Sequence, residues 1–289
     1  MGDKMQENKD QWNLVITPRS GLLDLKLAEV WHYRDLIMLF VRRDFVAQFK
    51  QTILGPLWHL IQPILTTLMF LLVFGRIARI STDGVQPPLL FYLSGITVWN
   101  YFATCLTNTA NTFVANASIF GKVYFPRLVL PLSVVLSNMI RFGIQFLLLL
   151  AMMIFYHFNG YPIALSYYWL FIPVLIALMA GIGLGLGIII SSMTTRYRDF
   201  AVFLTFAIQL AMYATPVVYP LSYLENTKYK DIINANPLSP LIEAFRYALF
   251  GKGTFDSSGL LYSFIFMVVV LFLGIISFNK VEKNFMDTV

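Results

Sequence analysis

Length, composition and charge place this chain in one broad class. Its 289 residues are 58% hydrophobic, 16% aromatic and 12% charged, with a formal net charge of +6, whereas about 25% of the residues in a typical soluble domain are charged. This composition excludes a water-soluble fold and predicts an all-α integral membrane protein whose positive charge retains it at an anionic leaflet; no basic cluster alternates with aromatic residues as in a nucleic-acid platform.

The first 56 residues carry charges throughout and do not read as a signal peptide. Residues 1–21 are predicted to be a disordered tail, and residues 22–56 an amphipathic helix at the membrane surface. Apolar side chains at four-residue spacing would face the acyl chains while cations face lipid phosphate. Packing of this helix on other helices is the alternative. The apolar residues at this spacing are Ile37, Val41, Phe45 and Phe49.

Six stretches of about 18 or more nearly uncharged residues are long enough to cross roughly 30 Å of hydrocarbon as helices. They form one transmembrane domain, residues 57–279. An even number of spans puts both termini on one side, which holds fourteen Lys and Arg residues against six on the other. The termini, including the tail 280–289, are therefore predicted to be cytoplasmic. The predicted spans are 57–77, 89–113, 128–158, 168–191, 200–219 and 260–278.

The segment "FGKVYFPRLVLP", residues 120–131, lies between the second and third predicted spans. It places Lys122 and Arg127 beside two helix-breaking residues, Pro126 and Pro131. Anchoring of a cytoplasmic loop by cations explains the two charges but leaves the two prolines unexplained.

A polar segment of about 35 residues separates the fifth and sixth predicted spans and is too patterned for a bare loop. Ser239 and Pro240 are typical of a helix start, and Gly251 is typical of a helix end. A second, weaker helix is predicted upstream, around residues 223–233. The segment therefore predicts two short re-entrant helices in the outer interface, with a solvated cap as the alternative.

The sequence offers no catalytic or metal-binding motif. None of the six predicted spans contains Asp or Glu, which disfavours a proton- or sodium-driven carrier. The three histidines stand apart, and the single Cys105 lies in a span, where it offers neither a disulfide framework nor a metal site. We therefore expect no enzyme activity, cofactor or metal in this chain, so any energy source must lie on a partner.

Six phrases of the sequence carry a family resemblance. They are "RRDFVAQFKQTILGPLWHLIQP", "FGKVYFPRLVLPLSVVLS", "TTRYRDF", "TPVVYP", "NPLSPLIEAFRYALF" and "NKVEKNFMD", which follow one another from Arg42 to Asp287. Together they resemble the membrane permease of type-2 ATP-binding cassette exporters, in the branch that exports O-antigen, teichoic acid and capsule polysaccharide. The resemblance implies a homodimer of permeases with two ATPase subunits, which carry the ATP and Mg.

The resemblance also implies a role for the loop between the second and third spans. In such permeases this loop is a short coupling helix that docks on the ATPase, and it maps here to residues 111–126. Gly121 would end the helix, and Pro126 would keep it from continuing into the third span. The expected ATPase-coupling residues are Lys122, Tyr124, Phe125, Pro126 and Arg127.

A substrate path is expected from the same resemblance, which places the first and fifth spans at the centre of the dimer. Phe70, Tyr213 and Tyr219 are the expected channel-lining residues, and Pro63 and Pro216 the expected hinges. Packing on neighbouring helices, or an interfacial aromatic belt, is the alternative.

Arg42 and Arg43 are the expected substrate entrance, because guanidinium groups bind phosphate in a planar, bidentate way. General attraction to anionic lipid is the alternative for this pair.

Two features inside the spans stay open at this point. Arg141 lies deep in the third predicted span, where a lone cation is costly, and it either bonds a neighbouring helix or contacts a passing anionic group. The permeases that the chain resembles more often have an acidic residue near this position. The pairs Gly181 with Gly185 and Gly183 with Gly187 allow close helix approach, more readily within the chain than at a dimer seam.

We therefore expect a homodimeric permease of the bacterial inner membrane that moves lipid-linked cell-surface polysaccharide outward with ATPase partners. The high aromatic content favours sugar as cargo, because Tyr and Trp faces pack on sugar rings. An exporter of drugs or simple lipids of the same class is the nearest alternative. A membrane-bound glycosyl- or acyltransferase is the alternative from another class.

Overall fold

The structure is a computed structural model that describes residues 27–120, 125–161, 167–194, 197, 199–224 and 227–285. That part of the chain folds into twelve α-helices, short 3₁₀ turns and one π-helical stretch, and it contains no β-strand. The predicted all-α class is confirmed. The predicted disordered tail, residues 1–21, and the last four residues, 286–289, lie outside the described residues.

Two helices precede the first span. α1 spans Leu27–His32 and α2 spans Arg34–Phe49. Ile37 and Val41 are buried against α7, which spans Val129–Phe158, so this face packs on another helix and does not face the acyl chains. The apolar periodicity could not distinguish a helix that faces the acyl chains from one that packs on other helices, because α2 also carries apolar residues on its outer side. Those exposed apolar residues are Met38, Leu39 and Val46.

The first span begins at a Gly-Pro turn. Gly55–Leu57 forms a 3₁₀ turn, with a φ of 50° at Gly55, and α3 follows over Trp58–Phe70. The helix continues with π-helical hydrogen bonding over Leu71–Ile77. Pro63 lies inside α3. Because proline lacks an N–H, it interrupts the helical hydrogen bonds at the position predicted for a hinge.

Long helices build the centre of the bundle. α4 spans Pro88–Ala110, and α8 spans Ile172–Thr194 after a 3₁₀ turn at Tyr167–Phe171. α4 packs on α7 and α8, and in an 18-residue stretch of α4 78% of the residues are buried. The bounds of α4, α7 and α8 agree closely with the predicted second, third and fourth spans.

Small residues let α8 approach both of its neighbours. A Cβ atom added at Gly187 would lie 2.5 Å from Thr109 Cβ on α4. One added at Gly185 would lie 2.9 Å from the backbone nitrogen of Leu271 on α12, which spans Ser257–Phe285. The two glycine pairs therefore pack α8 against different helices of the same chain, which confirms the predicted internal packing.

The predicted coupling loop forms two single-turn helices in its described part. α5 spans Thr112–Ala115 and α6 spans Ala117–Phe120. Residues 121–124, which include Lys122 and Tyr124, lie outside the described residues. The chain resumes at Phe125 and leads directly into α7.

The helix at the fifth predicted span, residues 200–219, is shorter than the apolar run. α9 spans Asp199–Tyr213, about 22 Å at 1.5 Å per residue, and the chain then turns. Pro216 therefore lies beyond the helix, so it does not interrupt helical hydrogen bonds as predicted for a hinge. Within the described residues five helices are long and apolar enough to cross a membrane, and α9 is a shorter apolar helix beside them.

Short helices separate α9 from α12. A 3₁₀ turn at Leu221–Leu224 and α10 at Lys230–Asn234 occupy the region of the weaker predicted helix. α11 spans Ser239–Phe250 and ends at Gly251 in the left-handed conformation, with a φ of 62°, as predicted. Ser239 is not the cap of this helix, because its hydroxyl donates to the carbonyl of Ile233 at 2.7 Å. α11 is buried along most of its length and packs on α4 and α8.

Candidate functional site

Three regions contain the predicted functional residues: the segment after α4, a polar cavity beside α2, and the junction between α9 and α11. The first two lie at the end of the bundle that carries α2, and the third lies at the opposite end of α4.

The predicted coupling residues that the structure describes are buried. Phe125 is 5% exposed, and its ring lies 5.8 Å from the ring of Phe40 on α2. Pro126 is buried and Arg127 is 9% exposed. An ATPase that docks here would therefore meet other side chains, among which Val114 on α5 is 54% exposed. The contact roles predicted for Lys122 and Tyr124 stay predictions.

The two arginines of the predicted entrance differ in exposure and in their contacts. Arg42 is exposed, whereas Arg43 is partly buried beside its neighbour Asp44. The Nε of Arg43 donates to Asp44 Oδ1 at 2.8 Å, and its Nη2 donates to Asn116 Oδ1 at 3.0 Å. The Arg43 guanidinium also lies 4.7 Å from the centre of the Phe40 ring. Arg43 thus joins α2 to the segment between α5 and α6, and Arg42 does not.

A polar cavity of about 430 Å³ lies between α2, α4, the α5–α6 segment and α7. This volume lies in the range of pockets that hold small organic ligands. Its walls combine two guanidinium groups, one carboxylate and several amides, whereas most of the bundle is apolar. The polar residues that line it are Arg43, Asp44, Asn108, Asn111, Thr112, Asn116, Ser137, Asn138 and Arg141.

Arg141, the intramembrane charge, lines this cavity. Its depth in α7 would cost at least a few kcal/mol in pure hydrocarbon. The carboxylate of Asp44 interacts with it electrostatically, yet its buried Nε–H has no hydrogen-bond partner among the described residues. The structure therefore brings Arg43 and Arg141, one from the predicted entrance and one from the third span, to the walls of one cavity.

Amide side chains connect α4 and α7 in two places. Asn108 Nδ2 donates to Asn138 Oδ1 at 3.2 Å, and Asn100 Nδ2 lies 3.5 Å from Gln145 Oε1. Interhelical hydrogen bonds between amides contribute to helix association in membranes, together with close van der Waals packing. Sequence reasoning missed these residues, although amides inside two adjacent apolar runs were a usable signal.

The junction between α9 and α11 supplies hydrogen bonds to a helix end inside the bundle. The last carbonyls of a helix have no partner within it, and in a membrane protein they must find one. Tyr219 Oη donates to the carbonyl of Tyr213 at 2.8 Å. Asn236 Nδ2 donates to the carbonyl of Ala214 at 3.0 Å and to Thr215 Oγ1 at 2.8 Å.

Arg246 completes this junction. Its Nη1 donates to the carbonyl of Pro216 at 2.6 Å, and its Nη2 donates to the carbonyl of Val217. Its guanidinium lies 3.7 Å from the centre of the Phe91 ring on α4. A Cβ at Gly95 would lie 2.5 Å from Arg246 Nη2, so only glycine leaves room for the guanidinium at that turn of α4.

Glu243 is the charge partner of Arg246. Their side chains lie 3.4 Å apart, and both are almost fully buried. Burial raises the pKa of Glu243 and lowers the pKa of Arg246 to about 10, because removal of water disfavours each charged form. Sequence reasoning counted Arg246 among the outer cations and gave Glu243 no role. The phrases that contain the two halves of the junction, "TPVVYP" and "NPLSPLIEAFRYALF", were the available signal.

The three predicted channel-lining residues differ in exposure and in their contacts. Tyr213 is 52% exposed at the end of α9. Tyr219 is partly buried, and its hydroxyl is bound to the carbonyl of Tyr213. Phe70 is partly buried, with its ring 5.5 Å from the ring of Phe74. A lining role stays a prediction for all three, and Tyr219 already has a structural contact.

Comparisons with known proteins agree with the resemblance. Residues 35–250 match the ABC-2 type transporter family. Two proteins of Klebsiella pneumoniae, each named O-antigen export system permease protein RfbA, are 29% identical to the chain over 254 residues. The matched region is 88% of the chain and 94% of each relative. A protein of the same name from Myxococcus xanthus is 25% identical over 264 residues, 91% of the chain and 98% of the relative.

Proposed function

Because the chain belongs to the ABC-2 type transporter family, we propose that it is the permease subunit of an ATP-driven exporter of lipid-linked cell-surface polysaccharide. The observation that carries this proposal is the similarity to relatives named O-antigen export permeases, which extends over at least 94% of each of those proteins. Similarity over nearly a whole relative includes its membrane spans and its connecting segments. It therefore supports a shared task, and not only a shared architecture.

The chain supplies the passage, and a separate subunit supplies the energy. In the described spans the titratable side chains that sit deep in the bundle are few, and none is Asp or Glu. A carrier driven by protons or sodium usually needs such groups. We propose that two copies of an ATP-binding cassette subunit bind ATP and Mg and act on the α5–α6 segment. Lys122, Tyr124 and the exposed Val114 would form that contact, with Phe125, Pro126 and Arg127 fixing the segment to α2.

A second copy of the chain completes the proposed passage. α3 and α9 are strongly apolar, yet only 11% of an 18-residue stretch of Gly55–Ile77, the span that contains α3, is buried, and Leu204 is the only buried residue assigned to α9. Such surfaces contact lipid or another protein. In the proposed homodimer, α3 and α9 face the partner, and Phe70, Tyr213 and Tyr219 lie toward the polymer.

The proposal also fixes an orientation. The chain is a multi-pass membrane protein, and the excess of Lys and Arg at the end that carries α2 supports a cytoplasmic location for that end. Polysaccharide then enters from the cytoplasm, near Arg42 and Arg43, and leaves at the α9–α11 junction. The membrane is the bacterial inner membrane, because ATP is available on its cytoplasmic side.

The proposal is tested by export in cells. The chain is expressed with a candidate ATP-binding cassette ATPase from the same genome, in a strain that synthesises the lipid-linked polymer and lacks its own exporter. We expect the polymer to reach the cell surface, where antibody or lectin detects it. A matched strain carries an ATPase variant that binds ATP but does not hydrolyse it, and in that strain the lipid-linked polymer should accumulate inside the cell.

Two results would contradict the proposal. One is surface polymer at the same level with the inactive ATPase. The other is restored export of a drug or a simple lipid by the intact pair, with no export of polymer.

A further inference from the structure

The polar cavity beside α2 has the composition of a binding site. It is an open cavity lined by residues of four elements, α2, α4, the α5–α6 segment and α7. Two guanidinium groups and one carboxylate give it a net charge of +1. Hydroxyl and amide groups fill much of the remaining wall. Such a cavity favours a ligand that is both anionic and rich in hydrogen-bonding groups.

Two buried donors point to that ligand. Asn138 is 1% exposed, and its Nδ2 has no hydrogen-bond partner among the described residues. The thiol of Cys105 approaches this amide, but sulfur is a weak acceptor. The Nε–H of Arg141 is also buried without a partner. Buried donors are normally satisfied, so two of them on one cavity indicate a missing acceptor.

The charges identify the acceptor as an anion. Arg43 is already occupied, because Asp44 lies 2.7 Å from its Nη2 and Asn116 accepts a second bond. Among the residues that the structure describes, Arg141 has no such close pair, and its electrostatic partner Asp44 is shared with Arg43. A guanidinium group with free donors binds the oxygens of a phosphate in a planar, bidentate way. The nearby amides of Asn108, Asn111 and Asn138 can exchange hydrogen bonds with hydroxyl groups.

We propose that this cavity binds the phosphorylated sugar at the head of the lipid-linked saccharide, with Arg141 on the phosphate and the asparagines on the sugar hydroxyls. The inference rests on the proposed function and adds a site to it. It also assigns Arg43 a positioning role, since its contacts orient Asn116 and Asp44 on the cavity wall.

The cavity shares a wall with the segment that would meet the ATPase. Thr112 and Asn116, four residues apart, line the cavity, whereas Val114 between them is 54% exposed on the other side. A ligand in the cavity and an ATPase outside would therefore contact opposite faces of one short segment. Occupancy of the cavity is accordingly expected to stimulate ATP hydrolysis.

Binding is tested on the purified permease alone, in nanodiscs of uncharged lipid. The probes are α-glucose 1-phosphate, inorganic phosphate, and a polyprenyl phosphate incorporated in the nanodisc. We expect saturating glucose 1-phosphate to raise the Tm of the wild type by about 2–4 °C, because a ligand that binds only the folded protein stabilises it. Stabilisation by the polyprenyl phosphate at lower concentration identifies the lipid-linked form as the preferred source of the phosphate.

The decisive variant is Arg141→Gln, with Arg34→Gln as its matched control. Arg34 is an exposed arginine on α2 that does not line the cavity. Arg141→Gln is expected to weaken probe binding at least about tenfold while the unliganded protein remains as stable as the wild type. Arg34→Gln should bind as the wild type does. Arg141→Lys should recover part of the binding, since it keeps the charge and loses the fork.

Three outcomes would overturn the site. One is the absence of stabilisation by every probe, and another is equal binding by the wild type and Arg141→Gln. The third is a large loss of stability in unliganded Arg141→Gln, which would make the arginine a structural group. This assay requires neither the ATPase nor transport. If polymer export succeeds while binding fails, only the site is wrong, and if binding succeeds while export fails, only the proposed function is wrong.

Discussion

α3 and α4 lie side by side in the bundle, yet one is almost uncovered and the other is almost enclosed. In 18-residue stretches, 11% of the residues are buried in Gly55–Ile77, the span that contains α3, and 78% are buried in α4. The less buried helix is the more apolar of the two. Lipid tails are as apolar as leucine side chains, so hydrophobicity places a helix in the membrane without placing it inside the protein.

Small and polar residues mark the enclosed helix. Ser94 and Thr97 of α4 donate to carbonyls of their own helix at 2.9 and 2.8 Å, which allows them to be buried without other partners. Gly95 admits the Arg246 guanidinium, and Thr109 fits against Gly187 of α8. α3 instead exposes large apolar side chains. Those side chains include Leu65, Leu68 and Met69.

The largest effect is expected at the buried charge beside α4. Arg246→Met leaves the carbonyls of Pro216 and Val217 without their donor and leaves Glu243 without its cation. We expect the free energy of unfolding to fall by about 3–5 kcal/mol, because a buried pair that loses one partner leaves an uncompensated charge. Unfolding in detergent micelles, followed by circular dichroism, measures this change.

The matched control for that variant is Lys252→Met, at an exposed cation just after α11. It should change stability by no more than about 0.5 kcal/mol. The double variant Arg246→Met with Glu243→Gln should be more stable than Arg246→Met alone. Equal losses of stability in Arg246→Met and Lys252→Met would show that the stability of the region around α4 does not depend on this junction.

The next effect tests close packing between α4 and α8. Gly187→Ala places a Cβ 2.5 Å from Thr109 Cβ and 3.1 Å from the carbonyl oxygen of Leu106, so the helices must separate. We expect a loss of about 1–3 kcal/mol, the usual cost of overpacking. Gly143→Ala on α7 meets open space and should be neutral or stabilising by up to about 1 kcal/mol. Similar losses for both variants would mean that the contact with Thr109 is not the cause.

A smaller effect is expected at the start of α12, a peripheral helix that is 17% buried in an 18-residue stretch. Asp256 Oδ1 accepts hydrogen bonds from the backbone N and the hydroxyl of Ser258, at 2.9 and 2.6 Å. Asp256→Ala removes this cap and should cost about 1 kcal/mol, whereas Asp256→Asn keeps an acceptor and should cost less. Equal stability of the wild type and Asp256→Ala would contradict the cap.

The same cap predicts how the stability of the protein changes with pH. The hydrogen bonds from Ser258 lower the pKa of Asp256 below its ordinary value of 3.8. The charged cap therefore contributes fully above pH 3.8 and is lost as pH falls through the lower folded pKa. The free energies of unfolding of the wild type and of Asp256→Ala should therefore converge as the pH falls below the folded pKa of Asp256.

The smallest effect on stability, and the sharpest test of the uncovered region, is expected at Tyr213. The variant Tyr213→Cys in a Cys105→Ala background should change stability little, because Tyr213 is 52% exposed. If Tyr213 lines the passage, a water-soluble thiol reagent should label the cysteine faster during active export. Labelling by a lipid-soluble reagent alone, in idle and exporting cells alike, would show that this end of α9 faces the bilayer.

Local features of the sequence predicted much of the fold. Spans were predicted at 128–158 and 168–191, and the helices run over Val129–Phe158 and, with its preceding turn, 167–194. Length and hydrophobicity suffice here, because the cost of an unbonded backbone in lipid forces any long apolar run to be helical. Gly251 ended α11 as predicted, since a left-handed residue at a helix end is also a local requirement.

The end of α9 could not be predicted from local sequence. The apolar run continues to residue 219, but the helix ends at Tyr213. A helix can end inside an apolar environment only if its last carbonyls and those of the following turn find donors. Here Tyr219 donates to the carbonyl of Tyr213, and Asn236 and Arg246 donate to carbonyls of the turn that follows. Asn236 and Arg246 lie outside the apolar run, so the run itself does not indicate where the helix ends.

Some properties of the charged residues follow from the sequence, and others follow only from the fold. The small number of charges and the excess of Lys and Arg in the segments on one side of the spans determined the class of protein and its expected orientation, because both depend only on composition and order. Tertiary structure alone decided that Arg246 is buried against α4 and that Arg43 and Arg141 line one cavity. The physical reason is that a charge is stable inside a membrane protein only beside compensating groups, and these groups come from helices far away along the chain.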